Sequence, residues 1–298
     1  MATTDIRPEP PLVVVVGPTA SGKTGLAIKL AKEFNGEIIS ADSRAIYRGL
    51  DIGTAKPSVE EQQGIPHWGI DLVNPGERFT AADFQLYARI KIAEIRARGH
   101  VPFLVGGTGL YIDAVVYNFE FPKAGNDEAR RTEFDKLSIE ALHKYCADNN
   151  IGLPENKQNK RYVVANILRA GSPPKRLTQP ISNTVIVGIT TDKLELHQRI
   201  SERSQHIFTD AAIAEALAVA SKCGWGSEAM TGNIYPLIRQ YLAGELSHEA
   251  AIERFIILDR QLAKRQLVWL RRSEHITWLP LGEAHTYIAR LLVSLSNS

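Results

Sequence analysis

The sequence holds only two cysteines, Cys146 and Cys223, and they lie too far apart to form a C-x-x-C pair. That spacing argues against a disulfide framework and against a zinc cluster, and leaves two buried or incidental thiols. An excess of one charge is also lacking: 35 Lys and Arg stand against 33 Asp and Glu, a net +2. A polyanionic partner must then be met by local basic surface and not by a global field. No apolar run reaches the roughly 18 residues of a membrane span. Residues 1–11, with three prolines, lack a charged start followed by an apolar stretch. The chain is therefore expected to be soluble and cytoplasmic, without internal repeats or low-complexity tracts.

What is present is a chain of 298 residues, 44% of them hydrophobic, which exceeds one typical domain and has ample material for a core. It is organised around a single stretch. Val13, Val14, Val15 and Val16 read as a buried parallel strand and run into Gly17-Pro18-Thr19-Ala20-Ser21-Gly22-Lys23-Thr24, a G-x-x-x-x-G-K-T phosphate loop. Leu26, Ala27, Leu30 and Ala31 continue at helical spacing. Phosphate oxygens need many donors at close range, and a loop without bulky side chains aims successive backbone N–H groups at them, helped by the positive end of the following helix. Lys23 would supply a point charge, and the Thr24 hydroxyl a ligand for Mg2+.

A second strand, Glu37 to Ser40, ends in Ala41-Asp42-Ser43. In a parallel sheet, a carboxylate just beyond a strand's carboxyl end faces the same crevice as the phosphate loop, so Asp42 is a candidate for chemistry. The alternative is an N-cap for a helix beginning near Ser43, and the two roles can coexist. Residues 44–75, rich in Gly, Pro and Asp, read as a long loop at the ligand edge. His67 lies there with no second metal-type ligand spaced to join it and reads as structural. Thr80-Ala81-Ala82-Asp83 caps a helix over Phe84, Tyr87, Ala88, Ile92 and Ile95, closed by Gly99. The next strand, Val101 to Val105, runs into Gly106-Gly107-Thr108-Gly109, where Thr108 offers a hydroxyl to the crevice. ATP-using P-loop enzymes commonly close such a strand with an Mg2+-binding Asp. Here it closes on glycines, which argues against an ordinary nucleoside triphosphatase.

Residues 117–180 break the β/α alternation, with helical patterns over 127–150 and 160–170, and read as a small helical insertion. Its second half carries Lys157, Lys160, Arg161, Arg169, Lys175 and Arg176 without an acidic residue. An unbroken basic run in a nearly neutral chain points either to a solvated face or to a polyanion. A strand over 184–189 follows, then helical patterns over 194–203, 211–222, 235–242 and about 247–271, and an edge strand over 276–279. On the last helix Arg260, Lys264 and Arg271 fall within roughly 40° of one another. Arg265 and Arg272 form a second stripe, with Ile256, Leu262, Leu267 and Trp269 as apolar contacts. The fold class expected is α/β: a P-loop NTPase-like parallel sheet flanked by helices, with a small all-helical insertion. Residues 1–116 and 181–298 form the core and 117–180 the insertion.

Several motifs occur in one order: residues 17–24, Ser-Ala-Asp-Ser at 40–43, Tyr47 with Asp-Ile-Gly-Thr-Ala-Lys-Pro at 51–57, Ala-Ala-Asp-Phe at 81–84, Leu-Val-Gly-Gly-Thr-Gly-Leu-Tyr at 104–111, and Ala-Lys-Arg-Gln with Trp269 at 263–269. Together they resemble the tRNA dimethylallyltransferases over nearly the whole chain. The resemblance implies transfer of the dimethylallyl group of dimethylallyl diphosphate to N6 of the adenosine 3′ of the anticodon. It implies a catalytic site of Asp42 as proton acceptor, Thr108 on the same nucleotide and Lys23 with the loop on the diphosphate, with Mg2+ at Thr24. It also implies contacts of Asp42, Ser43, Arg44, Ala45, Thr108, Arg130, Lys160, Arg161, Tyr162, Val163 and Val164 with the tRNA anticodon stem-loop. No membrane and no obligate protein partner are expected.

The chain departs from the family pattern at Lys157-Gln158, Val164 and Ala165-Asn166-Ile167. It departs again at Thr231, where an Arg is common, at Ile234-Tyr235, at Leu237, at Asp259-Arg260 and at Ala45. The insertion is also shorter than usual. Three other readings stay open at this point: a P-loop kinase of a small metabolite, an isopentenyltransferase using free AMP, and a tRNA-binding protein without turnover.

Overall fold

The computed structural model describes residues 9–121 and 128–296. The start of the chain, read above for a leader, lies largely outside these residues, as does Asp127 at the head of the first insertion helix. In chain order the elements are Leu12–Val16 (β1), Lys23–Glu33 (α1), Gly36–Ala41 (β2), His67–Trp68 (β3), Ala81–Ala97 (α2), Val101–Gly106 (β4) and Gly109–Val116 (α3). Glu128–Lys136 (α4), Ile139–Asp148 (α5) and Lys160–Leu168 (α6) follow. Then come Thr184–Thr190 (β5), Lys193–Ile207 (α7), Asp210–Cys223 (α8), a 3-10 turn at Glu228–Thr231, Ile234–Leu242 (α9), His248–Leu270 (α10), Thr277–Pro280 (β6) and Leu281–Ser296 (α11).

The chain divides into two compact units, one running to Val116 and resuming at Gln179, the other Tyr117–Thr178. The first is a six-stranded sheet in the order β3-β2-β4-β1-β5-β6, every pair parallel. All five residues of β1 are buried, as a central parallel strand covered on both faces requires. Alternation along the strands sends Val13, Val15, Ile38, Phe103, Val105, Val187 and Ile189 to one face, where they pack with Leu26, Ala27 and Leu30 of α1 and Ala284, Ile288 and Leu292 of α11.

The helix α2 begins with the capping box read from its sequence. Thr80 Oγ1 accepts the Asp83 N–H at 3.2 Å, and an Asp83 oxygen accepts the Thr80 N–H at 2.8 Å. Its end is marked by Gly99 at φ 75.

Four features differ from expectation. The long loop contains β3, two residues that pair with Ile38 and Ile39, too short to carry a periodic signal. This edge is pinned by the buried Glu37, which accepts bonds from Trp68 Nε1 at 2.7 Å and Arg98 at 2.8–3.0 Å and pairs with His100 Nδ1 at 2.7 Å. Burial raises the Glu37 pKa, but the bonds from Trp68, His100 and Arg98 outweigh it and leave the carboxyl below its usual range. The pattern over 127–150 is two helices, with Ser138 capping the second through the Ala141 N–H at 3.2 Å. The chain ends in α11, which sequence reading did not place. Finally, α10 buries Ala251, Phe255, Asp259, Ala263 and Leu270. Ile256, Leu262, Leu267 and Trp269, expected as its apolar contacts, are half-buried beside that face.

In the second unit, Phe134, Leu142, Cys146, Val163, Val164 and Ile167 form a small core among α4, α5 and α6. Burial pushes the Cys146 thiol pKa up, as expected of an inert packed thiol.

Candidate active site

The strands β1, β2 and β4 end level with one another, Val16 opposite Gly106 and Ala41 opposite Gly106. Three loops therefore leave one edge side by side: Gly17 onward, Asp42 onward and Gly107 onward. In the first, Ala20 (φ 62) and Gly22 (φ 85) take left-handed conformations that turn the backbone tightly. A Cβ at Gly17 would lie 2.7 Å from Ser21 Oγ, so a larger residue there would displace the buried Ser21 hydroxyl. Gly22 caps α1 without any side-chain bond, which leaves free N–H groups at its first turn for an anion. Ser21 is fully buried, and its hydroxyl has no partner among the described residues.

The Lys23 amine donates to the Pro18 carbonyl at 3.1 Å. Burial pushes its pKa down to about 8, Asp42 acting to raise it and Arg203 to lower it further. Lys23 thus stands in the electrostatic reach of one carboxylate and one guanidinium.

Asp42 begins no helix. Its Oδ1 accepts the Arg44 N–H at 2.8 Å, closing an Asx turn, so the capping role expected of it is that of a turn. Thr108 stitches the second and third loops together. Its N–H donates to the Ala41 carbonyl at 3.2 Å, and its hydroxyl accepts the Ser43 N–H at 3.0 Å. A Cβ at Gly106 would lie 2.2 Å from the Ala41 carbonyl oxygen, which is why a glycine closes this strand. Arg44 donates to the Glu228 carbonyl at 2.8 Å and to Thr231 Oγ1 at 2.7 Å, so the hydroxyl found where the family pattern has an arginine serves as its acceptor. Ala45 is buried, and its carbonyl accepts the Asp71 N–H at 3.1 Å.

The far wall comes from α7 and α10. Ala20 of the phosphate loop packs against Leu196 and Ile200 of α7 and Ala263 of α10. Gln266 Oε1 accepts the Thr19 N–H at 2.8 Å, and a Cβ at Gly107 would meet Gln266 Nε2 at 2.4 Å. One turn on, Trp269 lies where a Cβ of Gly109 would be and donates to Asp113 Oδ2 at 2.8 Å. The Ala-Lys-Arg-Gln motif thus reaches the crevice through Gln266, while Lys264 and Arg265 are exposed. The departure at Asp259 is occupied too: this buried carboxylate pairs with Arg203 at 2.7 Å and accepts Asn233 Nδ2 at 2.8 Å.

Sequence reasoning gave Gln266 no role of its own and missed Arg203, although both were legible as polar residues on faces meant for packing. It also missed how residues 51–57 are held. Glu215 of α8 accepts the N–H groups of Asp51, Ile52 and Gly53 at 2.7, 2.7 and 3.0 Å, together with the Tyr235 hydroxyl at 3.0 Å. Burial, with Glu215 beside it, drives the Tyr235 pKa well above the usual phenol value. Lys56, nearly buried, bonds the Tyr47 carbonyl, Asp51 and Asp71. This motif serves as a clasp. His67 contacts the Ile65 carbonyl through Nδ1 at 2.8 Å, and burial lowers its pKa, as fits a structural histidine.

In the second unit, Arg130 donates to the Tyr145 hydroxyl at 3.0 Å and lies over the Phe134 ring. Lys160 donates to the Asp135 carbonyl at 2.5 Å, Arg161 is exposed and Tyr162 half-buried. Val163 and Val164 are fully buried, so two side chains expected at the RNA surface are packing residues, for they fill the apolar stripe of a short helix.

No group of three or more His, Cys, Asp or Glu among the described residues could hold a metal ion. Thr24 is exposed at the head of α1, and its hydroxyl has no partner among them. That donor set suits a hard cation that arrives with its own phosphate oxygens. Among the described residues, no helix is long and apolar enough to cross a membrane.

Against known proteins, the sequence pattern of the family described as IPP transferase matches residues 45–273, and that described as isopentenyl transferase matches residues 10–71. A tRNA dimethylallyltransferase of Geobacillus kaustophilus is 37% identical over 294 residues, covering 94% of this chain and 93% of its own. Among solved structures, the full-length tRNA isopentenylpyrophosphate transferase of Bacillus halodurans is similar with a TM-score of 0.73 at 36% identity, over 97% of this chain and 99% of its own. A eukaryotic dimethylallyltransferase solved acting on tRNA shares the fold, with a TM-score of 0.73 at 22% identity over 91% of this chain and 73% of its own.

Proposed function

The chain belongs to the IPP transferase family, among the tRNA dimethylallyltransferases, and from that premise we propose how its own residues carry out the transfer. It is an enzyme with that activity, and the kinase, free-nucleotide and binding-only readings give way to it. We take dimethylallyl diphosphate as donor and N6 of the adenosine 3′ of the anticodon as acceptor. The allylic C–O bond breaks with its electron pair going to the diphosphate, a bond forms from N6 to the allylic carbon, and N6 gives up a proton. The leaving charge falls on oxygens in the phosphate loop, where backbone N–H groups and Lys23 stabilise it. Mg2+ bound with the diphosphate at the Thr24 hydroxyl would offset the same charge.

Asp42 takes the N6 proton. The Arg44 N–H fixes one of its oxygens and so orients the carboxylate. Thr108, tied to Ser43 and Ala41, holds the loop beside the nucleotide. The adenosine must leave its stack to arrive there. In the second unit, Arg130, Lys160, Arg161 and Tyr162 offer the stem-loop basic and aromatic surface. We place the reaction in the cytoplasm, where its tRNA substrate is made and used.

The observation that carries this reading is the meeting of Lys23 and Asp42 in one crevice, where the carboxylate acts on the buried ammonium. Mass spectrometry of an anticodon stem-loop incubated with the protein, Mg2+ and dimethylallyl diphosphate tests it. The expected result is a gain of one dimethylallyl group on the adenosine after the anticodon. A stem-loop of unchanged mass, in an assay where another family member modifies it, overturns the reading.

A further inference from the structure

Arg44 carries the N–H that fixes Oδ1 of Asp42 at 2.8 Å, while Oδ2 has no hydrogen-bond partner among the described residues. The chain on either side of Arg44 is fastened separately. Thr108 Oγ1 accepts the Ser43 N–H at 3.0 Å, and the Asp71 N–H donates to the Ala45 carbonyl at 3.1 Å. The tilt of the peptide between these two points, which aims the Arg44 N–H, is left to the Arg44 side chain.

That side chain reaches the 3-10 turn at Glu228–Thr231. Its Nη1 donates to the Glu228 carbonyl at 2.8 Å and to Thr231 Oγ1 at 2.7 Å. The Thr231 hydroxyl gives its one hydrogen to the same Glu228 carbonyl at 2.7 Å, so a lone pair is what faces Arg44. The three groups close a triangle in which every donor and acceptor is assigned. The turn is anchored on both flanks: Ser227 Oγ accepts the Ala229 N–H at 3.4 Å, Ala229 and Met230 are buried, and Asn233 Nδ2 donates to the buried Asp259 at 2.8 Å. An arginine at position 231, which the family pattern commonly has, would set two guanidiniums against each other and offer no side-chain acceptor. The hydroxyl of this chain does the opposite.

We propose that Thr231 is a positioning residue for the transfer reaction: its hydroxyl holds the Arg44 guanidinium, and Arg44 in turn holds the Asp42 carboxylate toward N6. The proposal rests on the reading of Asp42 as the base. Thr231 acts through Arg44 and touches neither the adenosine nor the diphosphate, so its contribution lies in the rate of transfer and not in affinity.

The test is single-turnover transfer to an anticodon stem-loop by the full chain, at saturating dimethylallyl diphosphate and stem-loop, with stem-loop affinity measured by calorimetry. Thr231 is exposed, so Thr231→Val, which has nearly the same shape, keeps the fold. The expected result is transfer about three- to tenfold slower in Thr231→Val, the worth of one hydrogen bond, with stem-loop affinity within about twofold of the parent. Thr231→Ser, which keeps the hydroxyl, should restore the rate to within about twofold. In a cycle with Asp42→Ala, Thr231→Val should cause no further slowing, because no carboxylate is left to aim. Parental turnover in Thr231→Val, slowing that follows weaker stem-loop binding, failure of serine to restore the rate, or an equal loss with and without Asp42 each overturns the proposal and leaves the base reading standing. A parental rate in Asp42→Ala overturns the base reading, and this proposal with it.

Discussion

Gln266 accepts the Thr19 backbone N–H through its side-chain carbonyl at 2.8 Å, across 247 positions of sequence. A neutral acceptor thus sits on a donor of the phosphate loop, and this bond, with the packing of Ala263 on Ala20, registers α10 against that loop. Gln266→Glu changes little in size but places a negative charge on the cradle. Pyrophosphate binding, measured by calorimetry, is expected to weaken by about tenfold or more, given that like charges at such range cost more than about 1.4 kcal/mol in a partly desolvated crevice. Unchanged affinity would show that Gln266 stands clear of the anion.

In the proposed mechanism Asp42 takes the N6 proton, and the Arg44 N–H bonded to its Oδ1 orients the carboxylate. Asp42→Ala is expected to lower the rate of dimethylallyl transfer on the order of 10²-fold or more, as for loss of a general base. Pyrophosphate binding should persist. A turnover near the parental rate would remove Asp42 from the proton path.

Much of this crevice is legible in the sequence. The phosphate loop, the carboxylate after β2, the capping box of α2 and the glycines after β4 each carry a local signal, because each is a backbone requirement written in adjacent residues. What sequence did not disclose depends on distance. Nothing local marks Arg203 as the partner of Asp259, or Glu215 as the acceptor for three amides over 160 positions away. The strand β3 is two residues long and has no period to read. By contrast, α11 was missed although Ala284, Ile288 and Leu292 repeat every four residues. At Val163 and Val164 the resemblance points to RNA, while their apolar side chains are buried in the core of the second unit.

Lys23 gives a pH dependence whose sign is fixed by its pKa, lowered from 10.5 to about 8. Below about 8 the ammonium is charged and attracts diphosphate, and above it the charge is lost. Pyrophosphate affinity is therefore expected to fall as pH rises through about 8, and Lys23→Arg, which stays charged, should abolish that fall. For stability the sign is opposite. The folded state holds this proton more weakly than the unfolded chain, so the group penalises folding at lower pH, and the penalty is relieved between about 8 and 10.5. Calorimetry across pH 7–10 checks the first claim.

Glu215 holds residues 51–53 by three amides and adds the Tyr235 hydroxyl. Glu215→Ala strands these donors, and stability is expected to fall by about 2–4 kcal/mol, allowing for solvent reaching some of them. Hydrogen exchange at the Asp51, Ile52 and Gly53 amides should accelerate ahead of the sheet core. Exchange as slow as in the parent would mean that the loop is held by Lys56 alone.

The second unit separates charge from packing on one short helix. Arg161 is exposed, whereas Val164, three residues on, is fully buried. If Arg161 neutralises one phosphate, Arg161→Ala weakens stem-loop binding and makes the plot of log affinity against log salt shallower by about 0.7–0.9, the change set by releasing one fewer counterion. Val164→Ala removes methyl groups from a core of six buried residues and is expected to cost about 1–3 kcal/mol of that unit's stability. Its salt slope should stay parental, since no charge has changed. Filter binding over a range of salt, with thermal unfolding alongside, distinguishes the two. A parental slope in Arg161→Ala would return that arginine to the solvated surface and shift the burden of RNA contact to Arg130 and to the lysines that flank the helix.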